Sequence, residues 1–185
     1  MESIWLEIYD GPGFVGDEIY PISPDSVLRS GGFISRSTDG GESWDGVWDE
    51  GGAFLETDPD GPNAGLLLTG VRDSSGAGYS LDRGASWQRA TFAVPEMSNR
   101  ECYAFLEMPS GHPFEGRLVA GCLGGLAYSD DGGRVWNYSN AWWTFQTECR
   151  SLGLGPDGTA YAISGDGPGP GGFFLWASED GATWE

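Results

Sequence analysis

The eight residues Ser37–Trp44, STDGGESW, decide the fold of this chain because three more copies of the same pattern follow them. The copies are SLDRGASW at Ser80–Trp87, SDDGGRVW at Ser129–Trp136, and SEDGATW at Ser178–Trp184, which is one residue shorter. The first serines of the four copies are 43, 49 and 49 residues apart. Four copies at nearly constant spacing in 185 residues indicate an internal structural repeat.

The chemistry of the pattern is that of a tight turn between two strands. Aspartate accepts hydrogen bonds from nearby backbone N–H groups, and glycine adopts the positive φ that other residues resist. Serine supplies a second local hydrogen bond, and tryptophan starts the next strand with a large apolar side chain. We therefore predict a structural role for Ser37, Asp39, Gly41, Trp44, Ser80, Asp82, Gly84, Trp87, Ser129, Asp131, Gly133, Trp136, Ser178, Asp180, Gly181 and Trp184.

Other features recur in phase with these four turns, which we call the box turns. An apolar strand near a proline comes first, and a second apolar strand follows. A third strand runs into the turn serine, and a fourth begins at the turn tryptophan. Four strands in a repeat of about 40–50 residues match one blade of a β-propeller. A strand-type solenoid is the alternative, although its repeats would be shorter.

The pattern resembles that of the Asp-box, or BNR-repeat, proteins, which include sialidases, xyloglucan-degrading glycosidases, sortilin-type receptors and photosystem II assembly factors. The resemblance extends over nearly the whole chain. It implies an all-β fold, a β-propeller of four-stranded antiparallel blades with about four blades visible. In that family the box lies between the third and fourth strands, on the rim away from the ligand face. The resemblance therefore also removes the four box aspartates from the catalytic candidates.

The repeats divide the single predicted domain, 1–185, into blades and an additional strand. The predicted blades are, in chain order, 16–50, 51–98, 99–146 and 147–185, the last of which lacks its fourth strand. Residues 1–10 are predicted to form the fourth strand of a preceding blade or of the last blade, because Glu2–Trp5 resembles the end of a box turn. The expected assemblies are a closed four-bladed ring, half of a dimeric ring, or a segment of a larger propeller. A segment or a ring completed by a partner is favoured.

Charge and composition exclude several kinds of partner. The chain has 28 Asp and Glu, nine Arg and no Lys, which gives a net charge of −19. Binding to nucleic acid and docking on anionic membranes both need a basic surface, so neither is predicted. No transmembrane stretch, signal peptide, cofactor-binding glycine loop or metal-site spacing is present in the sequence. We therefore predict no membrane insertion, no metal and no cofactor.

The three cysteines, Cys102, Cys122 and Cys149, lie in apolar contexts that are typical of strands. Their number and spacing do not match a dense disulfide framework or a zinc site. The sequence therefore predicts buried free thiols, and one disulfide with one remaining thiol is the alternative.

Aromatic residues mark a candidate ligand face. In a propeller this face carries the links between blades, and one predicted link contains Trp142, Trp143 and Phe145, while Trp48 has a similar place one link earlier. Exposed rings there would form a platform on which sugar rings stack. The alternative is that these rings pack between neighbouring blades.

Carboxylates recur at the entrance to each predicted first strand, at Glu18, Glu50, Glu101 and Glu148. First strands line the channel of a propeller, so these side chains would form an acidic ring at its mouth. Such a ring would bind a cation or hold one carboxyl protonated by repulsion. Glu101 and Glu148 are the candidates for glycosidase chemistry, which needs two carboxyls about 5–9 Å apart. The alternative is four solvated charges at strand ends.

The sequence favours a non-catalytic ligand-binding or scaffold propeller, expected to be extracellular, whose partner is a glycan or a protein. The alternative is part of an Asp-box glycoside hydrolase that acts on polysaccharide. The Arg-Ile-Pro triplet usual in sialidases is absent from this sequence, and the arginines show no clamp-like spacing. Whether the chain is an enzyme stays open at this point.

Overall fold

The computed structural model describes residues 18–71, 76–93, 101–142, 147–166 and 172–185. These residues form strands and turns, with no helix among them. The predicted all-β fold is therefore confirmed. The described ranges also contain no apolar helix of membrane-spanning length. The predicted strand within residues 1–10 lies outside the described residues.

The strands belong to four successive sheets, and neighbouring strands within a repeat are antiparallel. The first sheet has the order β1-β2-β3-β4, the second β5-β6-β7-β8, the third β10-β11-β12-β13-β9 and the fourth β14-β15-β16. The strand bounds are β1 Glu18–Ser23, β2 Ser26–Ser30, β3 Ile34–Ser37, β4 Asp45–Trp48, β5 Phe54–Glu56, β6 Leu67–Val71, β7 Gly76–Ser80, β8 Gln88–Arg89, β9 Thr91–Phe92, β10 Cys102–Glu107, β11 Leu118–Cys122, β12 Gly125–Ser129, β13 Val135–Trp142, β14 Thr147–Leu154, β15 Ala160–Asp166 and β16 Phe173–Ser178.

The third sheet has a fifth strand that the repeat pattern does not predict. After β8, the chain crosses from the second sheet to the outer edge of the third, where β9 pairs with β13 in parallel. The N–H of Thr91 donates to the carbonyl of Arg134 at 2.8 Å, and the N–H of Ala93 donates to Trp136 at 2.9 Å. This crossing satisfies backbone groups on an edge strand that would otherwise be open.

The box turns fix the register of every sheet. The box serine at the end of the third strand lies opposite an equivalent position of the second strand in all four sheets. The four pairs are Val27 with Ser37, Leu67 with Ser80, Leu118 with Ser129, and Ala160 with Ser178. Residues at the same offset from these pairs are therefore structurally equivalent, which allows the four sheets to be compared position by position.

The first box turn shows how the pattern holds itself together. The hydroxyl of Ser37 donates to Asp39 Oδ1 at 2.8 Å and accepts from the N–H of Gly41 at 2.8 Å. The N–H of Ser43 donates to Asp39 Oδ1 at 2.9 Å. The indole N–H of Trp44 donates to the carbonyl of Gly41 at 3.1 Å. Each of these polar groups belongs to the motif itself, so the turn is specified by local sequence.

The other box turns repeat this network with small variations. Asp82, Asp131 and Asp180 each accept from the box serine and from backbone N–H groups three or four residues later. Trp136 and Trp184 also donate to the carbonyl of the box glycine, at 2.9 and 3.1 Å. The indole N–H of Trp87 is buried and makes no hydrogen bond within the described residues.

The box glycines also bring consecutive sheets together. A Cβ on Gly84 would lie 2.5 Å from the side chain of Leu28, which belongs to the preceding sheet. A Cβ on Gly133 would lie 2.6 Å from Leu68 in the same way. Both glycines have positive φ, +79° and +76°. Glycine is therefore needed at this position for its backbone conformation and for the close contact between sheets.

The hydrophobic core consists of three clusters, one between each pair of consecutive sheets. The box tryptophans of the last three sheets, Trp87, Trp136 and Trp184, are 6%, 0% and 3% exposed. Trp136 packs on the rings of Phe92 and Phe105, with centroids 6.4 and 5.9 Å away. The box residues thus build the turns and also fill the space between the sheets.

The prediction of three free thiols is wrong, and the alternative of one disulfide with one free thiol is correct. Cys102 and Cys122 form a disulfide, and their Cα atoms lie 4.0 Å apart. The register explains the pairing, because these residues are directly opposite each other on β10 and β11. Cys149 is a buried free thiol whose pKa burial raises to about 12.

Candidate functional site: the carboxylate–tyrosine cluster

A compact group of polar side chains lies where the first strands of the third and fourth sheets begin. We call this end of the sheets, opposite the box turns, the link end. The group contains Glu101 and Tyr103 from the start of β10, and Glu148 and Arg150 from the start of β14. We call these four residues the carboxylate–tyrosine cluster. The structure therefore brings together the two sequence-predicted catalytic candidates, Glu101 and Glu148, around one tyrosine.

The backbone holds the two strand ends in this arrangement. Leu123, which follows β11, forms an antiparallel bridge with Glu148. The N–H of the same leucine donates to the carbonyl of Glu101 at 2.8 Å. One turn residue of the third sheet thus connects both glutamates, so their positions depend on the packing of the third sheet against the fourth.

The side chains of the cluster contact one another directly. The hydroxyl of Tyr103 lies 3.4 Å from Glu148 Oε1 and also hydrogen-bonds with Glu101. Arg150 forms an ion pair with Glu148, and its guanidinium carbon lies 4.4 Å from the centroid of the Tyr103 ring. Both carboxylates therefore lie beside the same hydroxyl.

The electrostatics of the cluster keep Tyr103 protonated. Burial raises the pKa of its phenol well above the usual value of 10, and the hydrogen bond and the negative charge of Glu101 raise this pKa further. The charge of Glu148 acts in the same direction, while Arg150 opposes it. The hydrogen bond with Glu148 in turn raises the pKa of Arg150. The cluster therefore combines a neutral hydroxyl, a guanidinium and two carboxylates, which together donate and accept hydrogen bonds.

Glu50 lies in a different environment from the two clustered glutamates. It follows β4, and its carboxylate forms an ion pair with Arg89 of β8. Its other oxygen, Oε2, is buried and makes no hydrogen bond in the described part of the chain. The side chain of Glu18 lies outside the described residues. Of the predicted acidic ring, the structure therefore shows two members together and a third paired with arginine.

An aromatic hollow lies at the link end of the first sheet. It has a volume of about 530 Å³ and is lined by Phe33, Gly46, Val47, Trp48 and Asp49. Phe33 is 48% exposed, whereas Trp48 is half-buried and also packs against the core between the first two sheets. The alternative of packing between blades thus applies to Trp48 in part, and stacking on a sugar ring stays a prediction. The side chain of Trp142 and the whole of Trp143 and Phe145 lie outside the described residues.

Sequence reasoning missed three residues at the link end, namely Tyr103, Arg150 and Phe33. The first two had a detectable signal, because Tyr103 and Arg150 each lie two residues after a candidate glutamate. Side chains two apart on a strand share a face. Phe33 gave no such signal, since its exposure depends on how the turn after β2 folds. No group of three or more potential metal ligands occurs among the described residues.

Comparison with known proteins shows the class of fold. No family model matches the chain, and no curated protein matches it. An ancestral GH74 enzyme of known structure has a TM-score of 0.67 and 16% identity, over 92% of this chain and 25% of that one. The GH74 xyloglucanase from Xanthomonas campestris has a TM-score of 0.60 and 22% identity, over 94% and 30%.

An extracellular domain gives a similar result. The extracellular domain of a one-component system from B. thetaiotaomicron has a TM-score of 0.63 and 11% identity, over 92% of this chain and 22% of that one. At these identities the likeness concerns the fold alone, and it shows that the four sheets have β-propeller architecture. The chain spans less than a third of the length of each of these three structures.

Proposed function

We propose that this chain is a non-catalytic, carbohydrate-binding part of an Asp-box β-propeller, with its ligand at the link end. The observation that carries the proposal is the convergence of Glu101, Tyr103, Glu148 and Arg150 on two neighbouring sheets. Carboxylate, phenol and guanidinium groups are suited to the closely spaced hydroxyls of a sugar, each of which both donates and accepts a hydrogen bond.

Charge and aromatic exposure narrow the class of ligand. A net charge of −19 repels anionic ligands such as sulfated or uronic-acid polymers. The hollow at Phe33 and Trp48 offers apolar ring surface at the same end of the sheets. We therefore propose a neutral polysaccharide, and the name of the similar xyloglucanase makes xyloglucan the first ligand to test.

We propose an extracellular location for the same protein. Disulfides persist in oxidising compartments outside the cytosol, and Cys102 and Cys122 form one. The similar structure from a one-component system is an extracellular domain, as its name states. Both observations support the location expected from the sequence.

Calorimetric titration of the full chain with xyloglucan oligosaccharides tests the proposal. Removing a hydrogen bond to a charged group costs about 1.5–3 kcal/mol, so Glu148→Gln should weaken binding by at least about tenfold. Tyr103→Phe should weaken it in the same direction. The matched control is Glu42→Gln, an exposed glutamate in a box turn, which should leave affinity unchanged. Equal affinity of wild type and both cluster variants would contradict the proposed site.

Glycoside hydrolysis is the second candidate function, because Glu101 and Glu148 lie beside one hydroxyl and glycosidases use a pair of neighbouring carboxyls. In this case the chain should release reducing sugar from xyloglucan, and Glu101→Gln or Glu148→Gln should abolish the release. Binding by the wild-type chain without any release favours the non-catalytic function instead.

A further inference from the structure

The fourth sheet exposes an apolar face that is covered in the other three sheets. Four side chains on β15 and β16 form this surface, which we call the open face: Tyr161, Ile163, Phe173 and Leu175. Their exposed fractions are 36%, 45%, 82% and 67%. Ile163 is opposite Leu175 in the register, and Tyr161 is opposite Ala177, so these residues share one side of the sheet.

The positions equivalent to Leu175 and Tyr161 are completely buried in the other three sheets. Leu175 corresponds to Ile34, Ala77 and Leu126, each of which is 0% exposed. Tyr161 corresponds to Leu28, Leu68 and Val119, which are also 0% exposed. In each of those cases the box glycine of the following sheet, Gly84, Gly133 or Gly181, packs on the side chain. The open face is therefore a sheet-to-sheet interface, already used three times within the chain, that has no following sheet in the described structure.

The first sheet carries the complementary half of the same interface. Its box residues Gly41 and Trp44 are half-buried, whereas the box glycines and tryptophans of the other sheets are buried. Arg29 lies over the ring of Trp44, with the guanidinium carbon 5.2 Å from its centroid. Within the described residues, the chain thus presents both halves of the interface, one on its fourth sheet and one on its first.

We propose that a second copy of this chain covers the open face with its first sheet, so that the four described sheets of each copy close a ring of eight. In this arrangement Gly41 of the partner subunit faces Tyr161, at the position where Gly84 packs on Leu28 within the chain, although at a greater distance. The contact is head-to-tail, and such contacts give rings when the rotation closes. Propellers typically have 4–8 blades, which two copies satisfy and three exceed.

Two features make the dimer reversible. Ile163 corresponds to Ser30, Gly70 and Gly121 in the other sheets. The backbone of the following sheet approaches this position closely, since a Cβ on Gly70 would lie 1.9 Å from the carbonyl oxygen of Cys102. The partner sheet therefore lies farther from β15 than in the internal interfaces. In addition, two chains of charge −19 repel each other, and salt screens this repulsion. Association should therefore increase with protein concentration and with ionic strength.

Sedimentation equilibrium of the full chain tests the proposal without any ligand, so its result is independent of the proposed function. We expect the mass to rise from 19.7 kDa toward twice that value with increasing concentration. Leu175→Asp on the open face should remain monomeric. The matched control is Leu81→Asp, at a leucine that is 56% exposed in a box turn, and this variant should dimerise like wild type.

A mixing experiment tests the head-to-tail arrangement. Trp44→Asp disrupts the complementary half on the first sheet, and Leu175→Asp disrupts the open face, so each variant alone should be monomeric. An equimolar mixture should form a dimer, because the open face of Trp44→Asp can still contact the first sheet of Leu175→Asp. Thermal melting of each variant checks that it is folded. A wild-type chain that stays monomeric at all concentrations, or equal masses for Leu175→Asp and Leu81→Asp, would overturn the proposal.

Discussion

The two ends of the sheets differ in how much they vary from one repeat to the next. At the box end, the same serine, aspartate and glycine make the same hydrogen bonds in every sheet. At the link end the side-chain chemistry does not repeat: Glu50 pairs with Arg89 between the first two sheets, the third sheet has a disulfide, and the third and fourth sheets share the carboxylate–tyrosine cluster. The difference shows that a repeat protein can keep its architecture at one end of its sheets while the residues at the other end vary.

The largest expected effect comes from removing a box tryptophan from between two sheets. Trp136 is 0% exposed, and we expect Trp136→Ala to lower the free energy of unfolding by about 3–5 kcal/mol. Trp44→Ala, in the half-buried equivalent position, should cost clearly less. Urea denaturation measures both. Equal losses for the two variants would show that burial between sheets is not what the box tryptophan contributes.

Reduction of the disulfide at the link end should lower the stability of the folded chain. Cys102 and Cys122 are 20 residues apart in the sequence, and a loop of this size gives about 3 kcal/mol of stability by its effect on the unfolded chain. We expect a reducing agent to lower the free energy of unfolding by about this amount, and therefore to lower the urea concentration at the unfolding midpoint. Cys149, buried and with a raised pKa, should react with a thiol reagent only after unfolding. Rapid labelling of this thiol in the native protein would contradict its placement.

The next prediction compares the stability cost of substituting two adjacent glycines in one box turn. Both have positive φ, but only one also packs against the preceding sheet. Gly132 and Gly133 are adjacent and have φ of +73° and +76°. Only Gly133 presses on the side chain of Leu68, so Gly133→Ala should cost about 1–3 kcal/mol more than Gly132→Ala. Chemical denaturation of the two variants gives the difference. If the two substitutions cost the same, the glycine contributes only its positive φ.

Acid should lower the stability of the folded chain by a smaller amount, because the box aspartates become protonated. Hydrogen bonds from Ser43 and Ser37 lower the pKa of Asp39 to about 2. For Asp82, burial raises the pKa, but hydrogen bonds from Ser86 and Ser80 lower it by more, and Asp180 behaves similarly. Because these folded-state values lie below the unfolded value of 3.8, the stabilisation is complete above about pH 4 and is lost as the pH falls toward 2.

Thermal melting as a function of pH measures this loss. The melting temperature should fall between about pH 4 and pH 2, and Asp39→Asn should flatten part of the decline. A melting temperature that does not change over this range would show that the box carboxylates are not held by their hydrogen bonds.

The sequence predicts the box turns well because the partners of the box serine and aspartate side chains lie within the same motif. It predicts the link end only in part. The pairing of Cys102 with Cys122 depends on the register of two strands, and the contact of Tyr103 with Glu148 depends on the packing of two sheets. The parallel pairing of β9 also depends on a neighbouring sheet. Such contacts join residues that are distant in sequence, and no local pattern specifies them.

Two variants measured side by side, each for stability and for affinity, test the division between the two ends most directly. Asp131→Ala removes the carboxylate that accepts from Ser129 and Val135, and it should cost about 1–2 kcal/mol of stability with unchanged affinity for xyloglucan oligosaccharide. Glu148→Gln should keep stability within about 0.5 kcal/mol and weaken binding by about tenfold or more. Equal weakening of binding by Asp131→Ala and Glu148→Gln would contradict this division between the two ends of the sheets.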